Sequence, residues 1–226
     1  MLTSTLRDSR VLGQSQRRYV SLETVRLGPV GRCPRTPVLT IALFDDSGSL
    51  TEPGGGDPVG NRYEEVKLAY SKLRACRCKK CLAAVLHFDT PLGDLAPGRL
   101  GDKRFQRQLA AALSRPAFAF GTSYIRRGLI AAERMADEHP EHQTRLIVLT
   151  DWELFDGANY IAQLQDFPGT VLAVGLGVHP PQTLATDTVT SVRIDPTDPP
   201  GSLAGEVFAQ LVHGRPGSKL PRRDSL

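Results

Sequence analysis

The chain has 226 residues, of which 40% are hydrophobic and 23% charged, a size and composition typical of one globular domain. Its hydrophobic stretches are only as long as strands, which excludes a membrane-spanning helix, and its first residues lack the hydrophobic segment of a signal peptide, so we expect a cytoplasmic protein. The net charge of +4 comes from the ends: residues 1–36 carry +5 and residues 213–226 carry +3, which leaves −4 between them. These basic ends lack the interleaved aromatic residues of a nucleic-acid surface, so we interpret them as solvated and expect neither nucleic acid nor membrane as a partner.

Hydrophobic runs of strand length alternate with helical patterns along the chain, which predicts an α/β fold with a mostly parallel sheet. The predicted strands are 38–44, 82–88, 93–100, 145–150, 170–176 and 188–194. Hydrophobic residues at helical spacing predict helices through Val66 and Leu73, Phe105 and Leu113, Leu129 and Ala136, Ile161 and Leu164, and Leu203 and Leu211. We expect a doubly wound sheet flanked by helices over residues 37–213, with a basic arm at 1–36 and a flexible basic tail at 214–226.

Two of these helices have sequence patterns that predict how they begin. Asn61 is followed three residues later by Glu64, which is the spacing of a capping box. Ser123 lies just before the hydrophobic positions of a later helix and is predicted to cap it. Both helices would then be capped by residues of their own segment.

Oxygen-bearing side chains follow two of the buried strands. Asp45, Ser47 and Ser49 come directly after strand 38–44, and Asp151 follows strand 145–150. Thr122 lies in a turn that opens a helix. Ligands of α/β sheets bind at the carboxyl ends of the strands, so we expect these side chains to meet there. Carboxylate and hydroxyl oxygens suit a hard divalent cation, above all Mg²⁺.

At these residues the chain resembles the von Willebrand factor A (vWA) domains that carry a metal-ion-dependent adhesion site. The motif of that family is Asp-x-Ser-x-Ser followed by a distant Thr and a distant Asp. Asp45, Ser47, Ser49, Thr122 and Asp151 match it in order and in local context. The resemblance covers roughly residues 37–213, and it implies a vWA or Rossmann-like fold and a site for Mg²⁺ or Mn²⁺.

The resemblance also implies a function. In this family an acidic residue of a protein partner displaces a water from the metal, so we expect a partner that offers an Asp or a Glu. The chain would then be a metal-dependent interaction module and not an enzyme, working as a bacterial cytoplasmic adaptor or regulator. Trp152 departs from the family pattern, where Gly often follows the strand-end Asp, and it would either anchor a partner or pack on its loop.

Two other functions stay open at this point. A Mg²⁺-dependent phosphohydrolase also places an Asp at a strand end, but its motif needs a second Asp where this chain has Ser47. His87 lies in a strand with no nucleophile beside it and is interpreted as a core residue. A vWA protein that binds RNA through its basic ends is the other alternative.

Four cysteines form a second candidate metal site. Cys76, Cys78 and Cys81 lie within six residues, just before strand 82–88, and Cys33 precedes strand 38–44. These strands are neighbours in a vWA-type sheet, so the four thiols would meet at the edge opposite the Mg²⁺ site. We predict a structural Zn²⁺ there, with free or buried thiols as the alternative.

Overall fold

A computed structural model describes residues 22, 25–51, 57, 61–74, 78–88, 93–114 and 121–220. The N-terminal residues 1–21, the C-terminal residues 221–226 and Cys76 lie outside this part of the chain. Within it, no helix combines the length and the hydrophobicity needed to cross a bilayer.

In the described residues, six strands form one sheet. They are β1 (Val38–Phe44), β2 (Leu82–His87), β3 (Leu95–Arg99), β4 (Gln143–Thr150), β5 (Thr170–Leu176) and β6 (Val189–Ile194). Their order across the sheet is β3-β2-β1-β4-β5-β6, and only the edge strand β3 is antiparallel to its neighbour. The predicted doubly wound, mostly parallel α/β fold is therefore confirmed, with strand order reversing between β1 and β4.

Helices cover both faces of this sheet. They are α1 (Gly48–Thr51), α2 (Asn61–Leu73), α3 (Lys103–Ala112), α4 (Arg126–Asp137), α5 (Asn159–Gln165) and α6 (Ser202–Val212). Alternate residues of β1 enter two separate cores, because successive side chains of a strand point to opposite faces. Ala42 and Phe44 pack with α2, α3 and α6, whereas Ile41 and Leu43 pack with α4 and α5.

The two predicted helix starts are built differently from the expectation. The carboxylate of Asp57 accepts hydrogen bonds from the backbone N–H groups of Asn61 (2.8 Å) and Arg62 (3.1 Å) at the start of α2. The prediction that Ser123 caps α4 is wrong, since Ile125 holds the cap position without a side-chain bond. The carboxylate of Asp156, from the loop after β4, binds the start of this helix instead. It accepts hydrogen bonds from the free N–H groups, and its negative charge interacts favourably with the helix dipole.

The segments before β1 and after α6 run beside each other. Val30 and Ser218 form an antiparallel bridge, and the N–H of Arg32 donates to the carbonyl of Pro216 at 2.8 Å. Part of the predicted N-terminal arm thus lies against residues 215–219 of the predicted C-terminal tail.

Candidate metal centre

The carboxyl ends of β1 and β4 lie side by side. Phe44 pairs with Leu149 in the parallel register, and the N–H of Asp45 donates to the carbonyl of Leu149 at 3.0 Å. Asp45 therefore leaves β1 at the level where Thr150 ends β4, one residue before Asp151. The two predicted carboxylates follow adjacent strands at the point where strand order reverses.

The turn after β1 holds its side chains close together. The N–H of Ser47 donates to Oδ1 of Asp45 at 2.8 Å, and the Oγ atoms of Ser47 and Ser49 lie 2.9 Å apart. Asp45 and Ser47 are buried, whereas Ser49 is exposed. The carboxylate therefore forms the floor of this site, and a hydroxyl reaches the surface.

The loop before α4 brings Thr122 to the same turn. Gly121 forms a parallel bridge with Ser47, and the exposed Thr122 follows directly. Gly128 lets α4 approach β1 closely, since a Cβ at this position would lie 2.5 Å from a methyl carbon of Leu43. The structure thus places all five predicted ligand residues at one edge of the sheet, while their binding of a metal stays a prediction.

The electrostatics of the site favour a cation. Burial, aided by the nearby charge of Asp151 and opposed by hydrogen bonds from Thr150 and Ser47, raises the pKa of Asp45 to about 6. A bound cation would stabilise the charged form of this buried carboxylate.

Thr150 is a site residue that the sequence analysis missed. Its hydroxyl donates to Oδ2 of Asp45 at 2.6 Å and accepts from the N–H of Trp152 at 3.1 Å. The signal in the sequence is a polar residue that ends a hydrophobic strand directly before the strand-end Asp. Thr150 fixes the rotamer of Asp45 and joins the loops after β1 and β4.

Searches of family models and of curated protein sequences found no match to this chain. Comparison with solved structures did find similar folds. The pilus adhesin SpaC from Lactobacillus rhamnosus GG, in its open conformation, matches with a TM-score of 0.58 and 15% identity over 80% of this chain. The chain spans only 30% of the SpaC chain.

Two further structures match over most of their own length. Manganese-loaded TRAP protein from Plasmodium vivax has a TM-score of 0.52 and 14% identity, covering 83% of this chain and 76% of TRAP. The SpRpn10 VWA domain has a TM-score of 0.50 and 16% identity, covering 77% of this chain and 95% of that domain. This chain has a vWA fold. At these identities the likeness establishes the fold and leaves the role of each residue to be argued from the site itself.

Trp152 occupies an unusual backbone conformation in this vWA fold. Its φ is +62°, a region that glycine enters without steric cost and other residues rarely enter. Its side chain is buried and its ring lies 6.1 Å from that of Tyr160. Of the two interpretations of Trp152, the structure therefore supports packing on the loop.

The residue next to Asp45 belongs to a different network. Asp46 is buried and its carboxylate accepts a hydrogen bond from the hydroxyl of Tyr63 and lies 2.5 Å from Nδ1 of His87. Arg62 approaches the same carboxylate at 3.8 Å. His87 is fully buried, in agreement with its interpretation as a core residue. This network includes the residue next to Asp45 and therefore adjoins the candidate metal centre.

The cysteines of the second predicted site lie at the opposite edge of the sheet. Cys78 and Cys81 are buried just before β2, and Cys33 is exposed just before β1. In the described residues, one group of three His, Cys, Asp or Glu side chains has all its ligand atoms within 4.8 Å, namely His139, Glu141 and His142. Nε2 of His142 lies 2.9 Å from the carbonyl oxygen of Lys80, so this group also touches the cysteine turn.

Proposed function

We propose that this protein is a metal-dependent protein–protein interaction module. The observation that carries the proposal is the convergence of Asp45, Ser47 and Asp151, together with the surface hydroxyls of Ser49 and Thr122, at the switch point of a vWA fold. A vWA structure with bound manganese is among those with a similar fold, which supports a divalent cation here.

The residues fit a hard cation because every donor is an oxygen. Each carboxylate oxygen of Asp45 already accepts one hydrogen bond, from Ser47 or from Thr150, and keeps a second lone pair for the metal or its water. Ser47 and Ser49 would add hydroxyl oxygens from the turn, and Thr122 and Asp151 would add theirs from the facing loops. Such an ion, when bound, would supply an electrophilic position that attracts a carboxylate.

The charge of the site points to an acidic partner. Two carboxylates would neutralise a divalent ion, whereas the three hydroxyls add no negative charge. A carboxylate from outside would therefore still be attracted to the ion, which a third carboxylate in the site would prevent. An Asp or Glu of a protein partner has the required chemistry.

A hydrophobic surface flanks the site on the same two loops. Tyr124 lies two residues after Thr122, and Phe155 lies four residues after Asp151. The rings of Tyr124 and Phe155 are 5.8 Å apart, and the two residues are 46% and 68% exposed, respectively. With Ile130 and Arg126 they line a groove of about 560 Å³. We propose that the partner segment places a hydrophobic side chain in this groove, next to the acidic residue that binds the metal. The exposed Arg126 would also attract the negative charge of that acidic residue.

The first prediction concerns the metal itself. The protein is expected to bind one Mg²⁺ or Mn²⁺ in titration calorimetry, and Asp151→Ala should abolish binding because only one carboxylate remains. Circular dichroism should show the variant folded. The control is Asp187→Ala, which removes an exposed carboxylate before β6 at the opposite edge and should leave binding unchanged. Absence of binding to the unmodified protein would show that the site holds no divalent ion.

The second prediction concerns the partner. Random peptides displayed on phage and selected on the Mg²⁺-loaded protein should be enriched in sequences with an Asp or Glu next to a hydrophobic residue. Retention should fall at least tenfold in EDTA or with Ser47→Ala, because either change removes the ion that the acidic side chain binds.

A matched variant separates the groove from the metal. Phe155→Ala should keep Mg²⁺ binding, since Phe155 carries no ligand, but lose the preference for a hydrophobic neighbour. Peptides that bind equally well in EDTA would contradict the metal bridge. Acidic peptides without a hydrophobic preference would contradict the groove alone.

A further inference from the structure

The turn before β2 is built around a pair of buried sulfur atoms. Cys78 and Cys81 are 6% and 1% exposed, and their Sγ atoms lie 3.1 Å apart. They are separated by Lys79 and Lys80, so the chain forms a Cys-x-x-Cys turn here. This spacing is the one that many zinc sites use for two of their ligands.

Backbone groups of this turn point at one of the sulfurs. The N–H of Cys81 donates to Sγ of Cys78 at 3.3 Å. A turn that donates N–H groups to sulfur stabilises the thiolate, which is the form that binds a metal.

A third thiol comes from a different part of the chain. Cys33 precedes β1 and lies close enough to Cys78 for its side chain to influence that thiol. The sulfur atoms of Cys33, Cys78 and Cys81 do not all lie within 4.8 Å of one another in this structure. Cys33 is exposed, whereas Cys78 and Cys81 are buried.

Two buried arginines place positive charge beside these thiols. Arg145 and Arg215 are each 5% exposed, and the charges of both interact with Cys81. Backbone carbonyls hold them in place: Arg145 donates to those of Gln210 and His213, and Arg215 donates to that of Leu211. Guanidinium groups remain charged when buried, and they offset the negative charge that several thiolates give to a metal centre.

We propose that Cys33, Cys78 and Cys81 bind a structural Zn²⁺ at the amino edge of the sheet, independently of the proposed Mg²⁺ site. A tetrahedral site takes a fourth ligand. Cys76, which the sequence analysis included, lies outside the described residues, so the proposal rests on three thiols. The metal would join the segment at 28–33, and with it residues 215–219, to the start of β2.

A Cys78–Cys81 disulfide is the competing use of this turn. It would engage two sulfurs and leave Cys33 without a role, and the present 3.1 Å separation exceeds the roughly 2.0 Å of an S–S bond. The contact of Cys33 with Cys78 favours the metal. The two alternatives differ in zinc content and in the number of free thiols.

Elemental analysis tests the proposal on the full chain purified without chelator. We expect about one zinc per chain, and reconstitution with Co²⁺ should give the charge-transfer absorption of several thiolate ligands. Cys33→Ser should lower zinc content at least tenfold and make the segment before β1 more accessible to protease, while Mg²⁺ binding persists. Asp151→Ala is the matched control, because it should lose Mg²⁺ and keep zinc.

The outcomes are distinct even if a Cys78 variant fails to fold. The thiols of Cys33, Cys78 and Cys81 should react with a thiol reagent only after a chelator is added. Zinc-free protein with four freely reactive thiols would overturn the proposal. So would zinc-free protein in which two thiols react only after reduction, and this second result would establish the disulfide.

Discussion

Replacing Arg62 by alanine is expected to lower the free energy of unfolding by about 3–5 kcal/mol, the usual cost of breaking a buried ion pair. The guanidinium of Arg62 is fully buried, and it donates to the carboxylate of Asp57 at 2.7 Å and to the backbone carbonyl of Asp45 at 2.9 Å. Its removal leaves the buried carboxylates of Asp46 and Asp57 without this charge. Urea denaturation at pH 7 measures the loss.

Two variants separate charge from size. Arg62→Met keeps a long side chain and should still be destabilised by several kcal/mol, since the buried carboxylate of Asp57 loses its ion-pair partner. Lys67→Ala removes a surface cation 3.6 Å from Glu64 and should cost no more than about 0.5 kcal/mol. An Arg62→Ala protein within 1 kcal/mol of the unmodified protein would contradict the role assigned to this ion pair.

The role of Arg62 could not be predicted from the sequence. It lies in a helix with Glu64, Glu65 and Lys67, a pattern that indicates a solvated face. Its burial follows from the way α2 packs over the end of β1, where it meets Asp45, Asp46 and Asp57. Contacts of this kind depend on tertiary packing, which local patterns do not encode.

Tertiary packing also determines how two of the helices begin and how the residues of the candidate metal centre are hydrogen-bonded. The strands follow from hydrophobic runs, and the meeting of Asp45 and Asp151 follows from the rule that parallel strands end at one edge. The full set of five predicted ligand residues comes from the resemblance to vWA domains. The binding of Asp156 to the backbone N–H groups of Ile125 and Arg126 joins loops that are thirty residues apart in the chain. The hydrogen bond from Thr150 to Asp45 likewise depends on the register between β1 and β4.

The position of the cysteine turn could be predicted from the sequence better than the ion pair of Arg62. The sequence indicates the edge at which Cys33, Cys78 and Cys81 lie, because it predicts the strands that they precede. It does not indicate which pair shares a turn, since Cys76, Cys78 and Cys81 allow several spacings. The hydrogen bonds between Cys78 and Cys81 select this pair.

Replacing Asp45 by asparagine is expected to abolish metal binding and, without metal, to stabilise the fold by about 3 kcal/mol at pH 7. Burial raises the pKa of Asp45 from its ordinary value of 3.8 to about 6. A group with a raised pKa contributes stability below its unfolded pKa and loses that contribution as pH rises through its folded pKa. Each pH unit between these two values is equivalent to about 1.4 kcal/mol.

The pH dependence gives this prediction its sharpest test. Asparagine resembles the protonated carboxyl group, so the two proteins should be equally stable near pH 4 and should diverge as pH rises from 4 to 7. Urea denaturation in EDTA at several pH values measures the difference, in which the carboxyl groups common to both proteins cancel. Asp187→Asn changes an exposed residue and should show no such divergence.

Addition of Mg²⁺ tests whether the buried charge of Asp45 serves metal binding or only the fold. A bound cation favours the ionised form of Asp45, so Mg²⁺ should stabilise the unmodified protein at pH 7 and leave Asp45→Asn unchanged. An asparagine variant that is less stable than the unmodified protein at pH 7 without metal would show that the hydrogen bonds from Ser47 and Thr150 outweigh the burial of the charge. Stabilisation by asparagine together with the loss of Mg²⁺ binding would instead show that Asp45 remains charged at a cost to the fold, as expected of a residue retained for binding.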